Sequence, residues 1–178
     1  MTFNAADYDI QRYRAAKYRT GKATDLVAIC DDLGVEVYVQ EFTDNKLSGL
    51  IEKKGNIWSI FVDAKDPLVR QRFTIAHELG HYFSYMAGKL SKEPLDHTGE
   101  LEDRAYLTRP SEATVHDPIE TEANKIAAEL LMPEDVITAM MELGDTTDEM
   151  AEKLGVSASA LGFRLQYLGH LPLESILS

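Results

Sequence analysis

Residues 77–81 read His77-Glu78-Leu79-Gly80-His81, and no other feature of the chain restricts its fold so tightly. Two imidazoles four positions apart serve one centre only on a helix, where ~100° per residue leaves i and i+4 about 40° apart in direction. The flanking Ile75, Ala76 and Leu79 make that helix a buried one, and two unpartnered histidines are costly to dehydrate. Two neutral imidazoles suit zinc at ~2.0–2.1 Å, and the glutamate between them is placed to act as a general base. The competing reading is a pair of core histidines hydrogen-bonded to backbone, which requires spacing and glutamate to coincide by accident.

A zinc ion held by two histidines needs a third protein ligand and keeps its fourth position for water. One known extension of the motif places Gly and His three and six residues after the second histidine. Ser84 and Ala87 stand there, so the ligand must come from elsewhere, and a glutamate on a later helix is the remaining option. The segment from Asp117-Pro118 through Leu131 to Met132-Pro133 reads as such a helix. Glu120 shares a face with Asn124, Ala127 and Leu131, the inward apolar stripe. Glu122 groups with Lys125 and Glu129 and is the fallback. Glu120 has a rival role: with Asp117 as N-cap and Pro118 first in the helix, it falls where glutamates close capping boxes. Asn124, one turn on, is within reach of a ligand.

The rest of the chain frames these two helices. Ala5 to Arg19 mixes Tyr8, Ala15, Ala16 and Tyr18 with Arg12, Arg14, Lys17 and Arg19, as an exposed amphipathic helix carrying a basic cluster would. Thr24 is placed to cap a second helix running to Leu33 and stopped by Gly34. Val35 to Phe42 alternates in the manner of a half-buried strand. Leu47–Glu52 and Ile57–Val62 are two more strands around a Lys54-Gly55-Asn56 turn, which makes a small antiparallel or mixed sheet. The histidine helix starts at Asp66-Pro67 and ends near Gly88. Lys89 to His116 has no clear period and reads as a long loop or lid. Glu134 to Leu177 is helical again.

Composition narrows the setting. The 178 residues carry 18 Lys and Arg against 30 Asp and Glu, a formal charge of −12, which opposes phosphate backbones and disfavours direct nucleic-acid binding. Cys30 is the single cysteine, so no intramolecular disulfide forms and a reducing compartment fits. No apolar run approaches the ~18 residues of a membrane span. The polar, acidic stretch Met1 to Asp9 is unlike a secretory signal. These features lead to the expectation of a cytoplasmic protein.

Two blocks carry a resemblance. Phe73-Thr74-Ile75-Ala76-His77-Glu78-Leu79-Gly80-His81 is followed by Glu120-Thr121-Glu122-Ala123-Asn124 and Ala127-Ala128-Glu129-Leu130-Leu131-Met132-Pro133. Over about residues 35–170 the chain resembles the ImmA/IrrE family of zinc metallopeptidases. The resemblance implies an α+β fold: a minimal zincin-like domain, here residues 1–133, in which a small three-stranded sheet packs on the histidine helix. A helical, helix-turn-helix-like segment, residues 134–178, packs on it. It also implies that His77, His81 and Glu120 bind zinc and that Glu78 is catalytic; by its ligand chemistry such a site also accepts another divalent ion such as manganese. Family members cleave, or are thought to cleave, helix-turn-helix repressors in stress responses, prophage induction and mobile-element control. Ile126 stands where an aromatic is common in the family, and the 38 residues between His81 and Glu120 form a longish connection. His97, Tyr106 and His116 on that connection are candidates to stabilise the oxyanion.

Thr147 to Gly169 fits a helix-turn-helix template, with Ala151 in the first helix, Gly155 at the turn, Ser157 as cap and Leu161 in the second. Yet Arg164 is the single cation from 157 to 168, and residues 134–178 carry two Lys and Arg against eight Asp and Glu. Duplex reading requires cations, so a helical packing module is expected. The acidity suits a basic protein partner instead, such as a DNA-binding repressor or antitoxin. The leading function is therefore a zinc endopeptidase acting on a regulatory protein. The alternatives are a non-proteolytic metal-binding transcription regulator and a repressor-binding module using a sheet edge.

Overall fold

The computed structural model describes residues 10–14, 16–43, 47–88 and 118–170. Strands β1 (Arg19–Thr20) and β2 (Ala23–Thr24) form a short hairpin that leads into helix α1 (Leu26–Leu33). Strands β3 (Val35–Gln40), β4 (Gly49–Lys54) and β5 (Ile57–Asp63) form a mixed sheet in the order β3-β5-β4. The central β5 runs parallel to β3 and antiparallel to β4, and Ile60 lies opposite both Val37 and Ile51. Gly55, at φ +62°, takes the left-handed conformation required in the two-residue turn between β4 and β5. Helix α2 (Leu68–Met86) crosses the sheet and packs along α3 (Pro118–Leu131). Helices α4 (Glu134–Glu142), α5 (Thr147–Leu154) and α6 (Ala158–Tyr167) complete the described chain.

This is the expected α+β architecture with a small three-stranded sheet. One apolar cluster extends from Tyr13 through Ile51, Ile60 and Leu79 to Leu131, Leu154 and Leu165, so the sheet, the central helix pair and the last three helices share a core. Arg72 on α2 reinforces the join: its Nε donates to Gly155 O at 3.1 Å and its Nη2 to Thr24 O at 2.9 Å. Gly155 ends α5 at φ +68°, and a Cβ there would lie 2.9 Å from Arg72 Nε. The turn before α6 thus requires glycine for its conformation and for the clamp alike.

Several local expectations are corrected. The stretch from Ala5 to Arg19, as far as it is described, is not one α-helix but two 3₁₀ turns, Ile10–Arg14 and Ala16–Tyr18. Tyr13 and Tyr18 are both buried, with ring centroids 5.1 Å apart. Five α-helical steps would point those rings about 140° apart, whereas two short turns bring both into the core. Thr24 does not cap α1. Asp25 does, accepting from Ala28 N at 3.0 Å, while Thr24 is buried in β2 and donates to Leu130 O at 2.5 Å. The third strand ends at Gln40, and its alternation fades along an edge: Val35 is buried but Val39 is 60% exposed. The expected loop at Lys89–His116 lies outside the described residues.

Candidate metal centre

Helix α2 is buried almost continuously from Phe73 to Ser84, which follows from its apolar composition and its place between sheet and α3. His77, Glu78 and His81 are all fully buried. The two histidine rings meet edge to face with centroids 4.6 Å apart, and their Nε2 atoms are 3.0 Å apart. On the neighbouring helix the Glu120 carboxylate faces the pair, Oε2 lying 3.2 Å from His77 Nε2 and Oε1 3.4 Å from His81 Nε2. The rival capping role involves Asp117, which lies outside the described residues. Glu120, with its side chain 36% exposed, is the member of the trio that touches solvent. Glu122 is half-buried on α3 and does not join the cluster formed by His77, His81 and Glu120.

A proximity set by backbone contact brings these side chains together. A Cβ at Gly80 would lie 2.7 Å from both Cα and O of Ala123, so only glycine lets α3 come this close to α2. Ala123 stands three residues after Glu120 and directly before Asn124 on α3, and the contact fixes their height above the histidines. Asn124 is buried and its Oδ1 lies 2.8 Å from His77 Nδ1. The Phe73 ring stacks near His77, with centroids 6.4 Å apart. The roles of Gly80 and Phe73 were not read from the sequence. A glycine inside an apolar helix, where alanine propagates better, was the available signal.

The donor set fits a divalent ion. Ligand atoms of His77, His81 and Glu120 all lie within 4.8 Å of one another. Pairs of donors around a tetrahedral ion at ~2.0–2.1 Å are themselves ~3.3 Å apart, close to the 3.0, 3.2 and 3.4 Å observed. A neutral His77 whose Nδ1–H donated to Asn124 Oδ1 would turn a bare Nε2 lone pair toward the Glu120 carboxylate. Acceptors crowded in this way repel each other unless a cation or a proton lies between them. His97, Tyr106 and His116 lie outside the described residues.

The arrangement, two histidines one turn apart on a central helix and a carboxylate from the next helix, defines a minimal zincin-like α+β domain. A family model described as the IrrE N-terminal-like domain, Peptidase M78, matches residues 30–166, and the chain belongs to that family. It is also similar to the radiation response metalloprotease IrrE of Deinococcus radiodurans, with 36% identity over 121 residues. That match covers 66% of this chain and 33% of the relative, so the chain spans about a third of the relative's length. No helix among the described residues is long and apolar enough to cross a membrane.

Proposed function

We propose that the chain is a zinc-dependent endopeptidase that cuts a regulatory protein, with His77, His81 and Glu120 holding the metal and Glu78 acting as general base. The observation that carries this reading is the convergence of two Nε2 atoms and one carboxylate within 3.0–3.4 Å, with a glutamate buried beside them on the same helix. When bound, the ion lowers the pKa of its water to ~7 and polarises the scissile carbonyl. Glu78 takes the proton of the attacking water and returns it to the leaving amine. The relative's name, a metalloprotease, agrees with this chemistry.

The substrate class follows from charge. A chain of −12 attracts basic partners at long range, and cytoplasmic helix-turn-helix repressors or antitoxins are basic. The competing reading as a DNA-binding regulator is disfavoured by Arg164. The one cation of the 157–168 segment is buried and donates through Nε to Met132 O at 3.1 Å, so it is spent on the end of α3. The test is incubation of the zinc-loaded chain and its Glu78→Gln variant with a small basic repressor encoded nearby, read by mass spectrometry. Discrete cleavage is expected, abolished by chelation and by Glu78→Gln and weakened by salt. Equal cleavage by both proteins would overturn the peptidase reading, and cleavage insensitive to ionic strength would overturn the charge argument.

A further inference from the structure

We infer that Asn124 is a positioning residue that locks the tautomer of His77, keeping the Nε2 lone pair of that ring open to the metal. The inference rests on the reading of His77 as a ligand. Two neighbouring imidazoles whose Nε2 atoms lie 3.0 Å apart have an alternative to binding a cation. Either ring can carry its proton on Nε2 and donate it to the other, or to the Glu120 oxygens at 3.2 and 3.4 Å. That internal bond closes the centre, and a metal must then break it and the proton must move from Nε2 to Nδ1 of the ring before the metal can bind. Asn124 Oδ1, at 2.8 Å from His77 Nδ1, removes the alternative for this ring by requiring the proton on Nδ1.

The lock is built rigidly. Asn124 is 3% exposed, so water does not replace it as the acceptor. Its height is set by the adjacent Ala123, whose backbone lies against Gly80. The Phe73 ring, inclined 30° to His77, braces the imidazole face and opposes a turn that would exchange Nδ1 for the ring carbon. The acceptor is an amide and carries no charge, so it orients the ring without adding a further carboxylate beside Glu78 and Glu120. Partners of this kind, placed behind a ligand, are typically worth ~10–100-fold in metal affinity.

Nitrogen-15 NMR of the metal-free full chain at pH 8 separates protonated from bare imidazole nitrogens and is independent of any peptidase activity. His77 is expected to carry its proton on Nδ1. In Asn124→Leu, which keeps bulk but offers no acceptor, the proton is expected to shift to Nε2, and zinc affinity in competition with a chelating dye to fall ~10–100-fold. Asn124→Asp, which retains an acceptor, is expected to keep the Nδ1 proton. A wild-type His77 protonated on Nε2, the state an inverted Asn124 amide would impose, overturns the inference, and so does a leucine variant with unchanged tautomer and zinc affinity. The wild-type spectrum decides the matter even if a variant does not fold. Failure of the Glu78→Gln test leaves this result untouched.

Discussion

A single methyl group added at Gly80 tests whether the approach of α3 to α2 sets the geometry of the centre. The new Cβ of Gly80→Ala would fall 2.7 Å from Ala123 Cα and O and 3.1 Å from its carbonyl carbon. Carbon atoms rest ~3.5–4.0 Å apart, so α3 must withdraw by about 1 Å, and the atoms in the way are backbone that no rotamer change can move. Local propensity opposes the clash: alanine gains ~1 kcal/mol over glycine inside a helix, against ~1–3 kcal/mol lost to overpacking. The metal-free chain should therefore lose roughly 0–2 kcal/mol. The metal-dependent part suffers more, because Glu120 stands three residues before Ala123 and a withdrawal of ~1 Å far exceeds the ±0.2 Å tolerance of coordination. At zinc one hundred times its Kd the wild type gains ~2.7 kcal/mol of stability, and a site weakened a hundredfold keeps ~0.4 kcal/mol. Urea unfolding with and without zinc measures both quantities. An unchanged zinc increment in Gly80→Ala would refute the claim that this backbone contact positions Glu120.

Other expectations follow from the same coordinates. Glu78→Gln should bind zinc as tightly as the wild type in chelator competition while turnover falls by ~10²–10⁴. Arg164→Met removes a buried guanidinium that donates to Met132 O, and should lower stability by ~1.5–3 kcal/mol in urea titration; no loss would mean that α6 packs without it. Burial pushes the Cys30 thiol and the Tyr13 phenol each up to about 12, from ordinary values of 9.0 and 10.0. The folded chain then holds both protons more tightly than the unfolded one. Their contribution is complete below pH 9 and is lost as pH rises toward 12, so the melting temperature should fall across that window. A level profile there would contradict the burial of these groups. Cys30 should also resist thiol reagents in the native state and react on unfolding.

Legibility in the sequence tracked how local the determinant was. Helical spacing alone turns His77 and His81 toward one point, and Glu120 shares a stripe with Asn124 and Ala127, because a helix of known period ties direction to sequence number. The β4–β5 turn at Gly55 and the cap at Ser157, which accepts from Ala160 N at 3.0 Å, are likewise decided within a few residues. What escaped depends on distant partners. Thr24 looked like a cap because nothing nearby reveals that Leu130 O awaits its hydroxyl. The apolar positions of Ala5 to Arg19 suit one helix face because nothing nearby reveals that Tyr13 and Tyr18 meet in a pocket beside Phe83, whose ring centroid is 5.6 Å from that of Tyr13. Val39 followed the alternation of a buried strand, yet lies on an edge where the pattern has nothing to pack against. Gly80 carried a faint signal as a poor helix former in a helix interior, but its reason, the backbone of Ala123, belongs to another helix.

X-ray absorption at the zinc edge, on full chain loaded with one equivalent, tests most directly whether two helices hold a single ion. The expected first shell contains two imidazole nitrogens at ~2.0–2.1 Å and oxygen donors at ~2.0–2.2 Å. One oxygen should be lost and affinity lowered in Glu120→Ala, while Glu122→Ala leaves the spectrum unchanged. A shell without paired imidazoles, or one that Glu120→Ala leaves intact, would contradict the account.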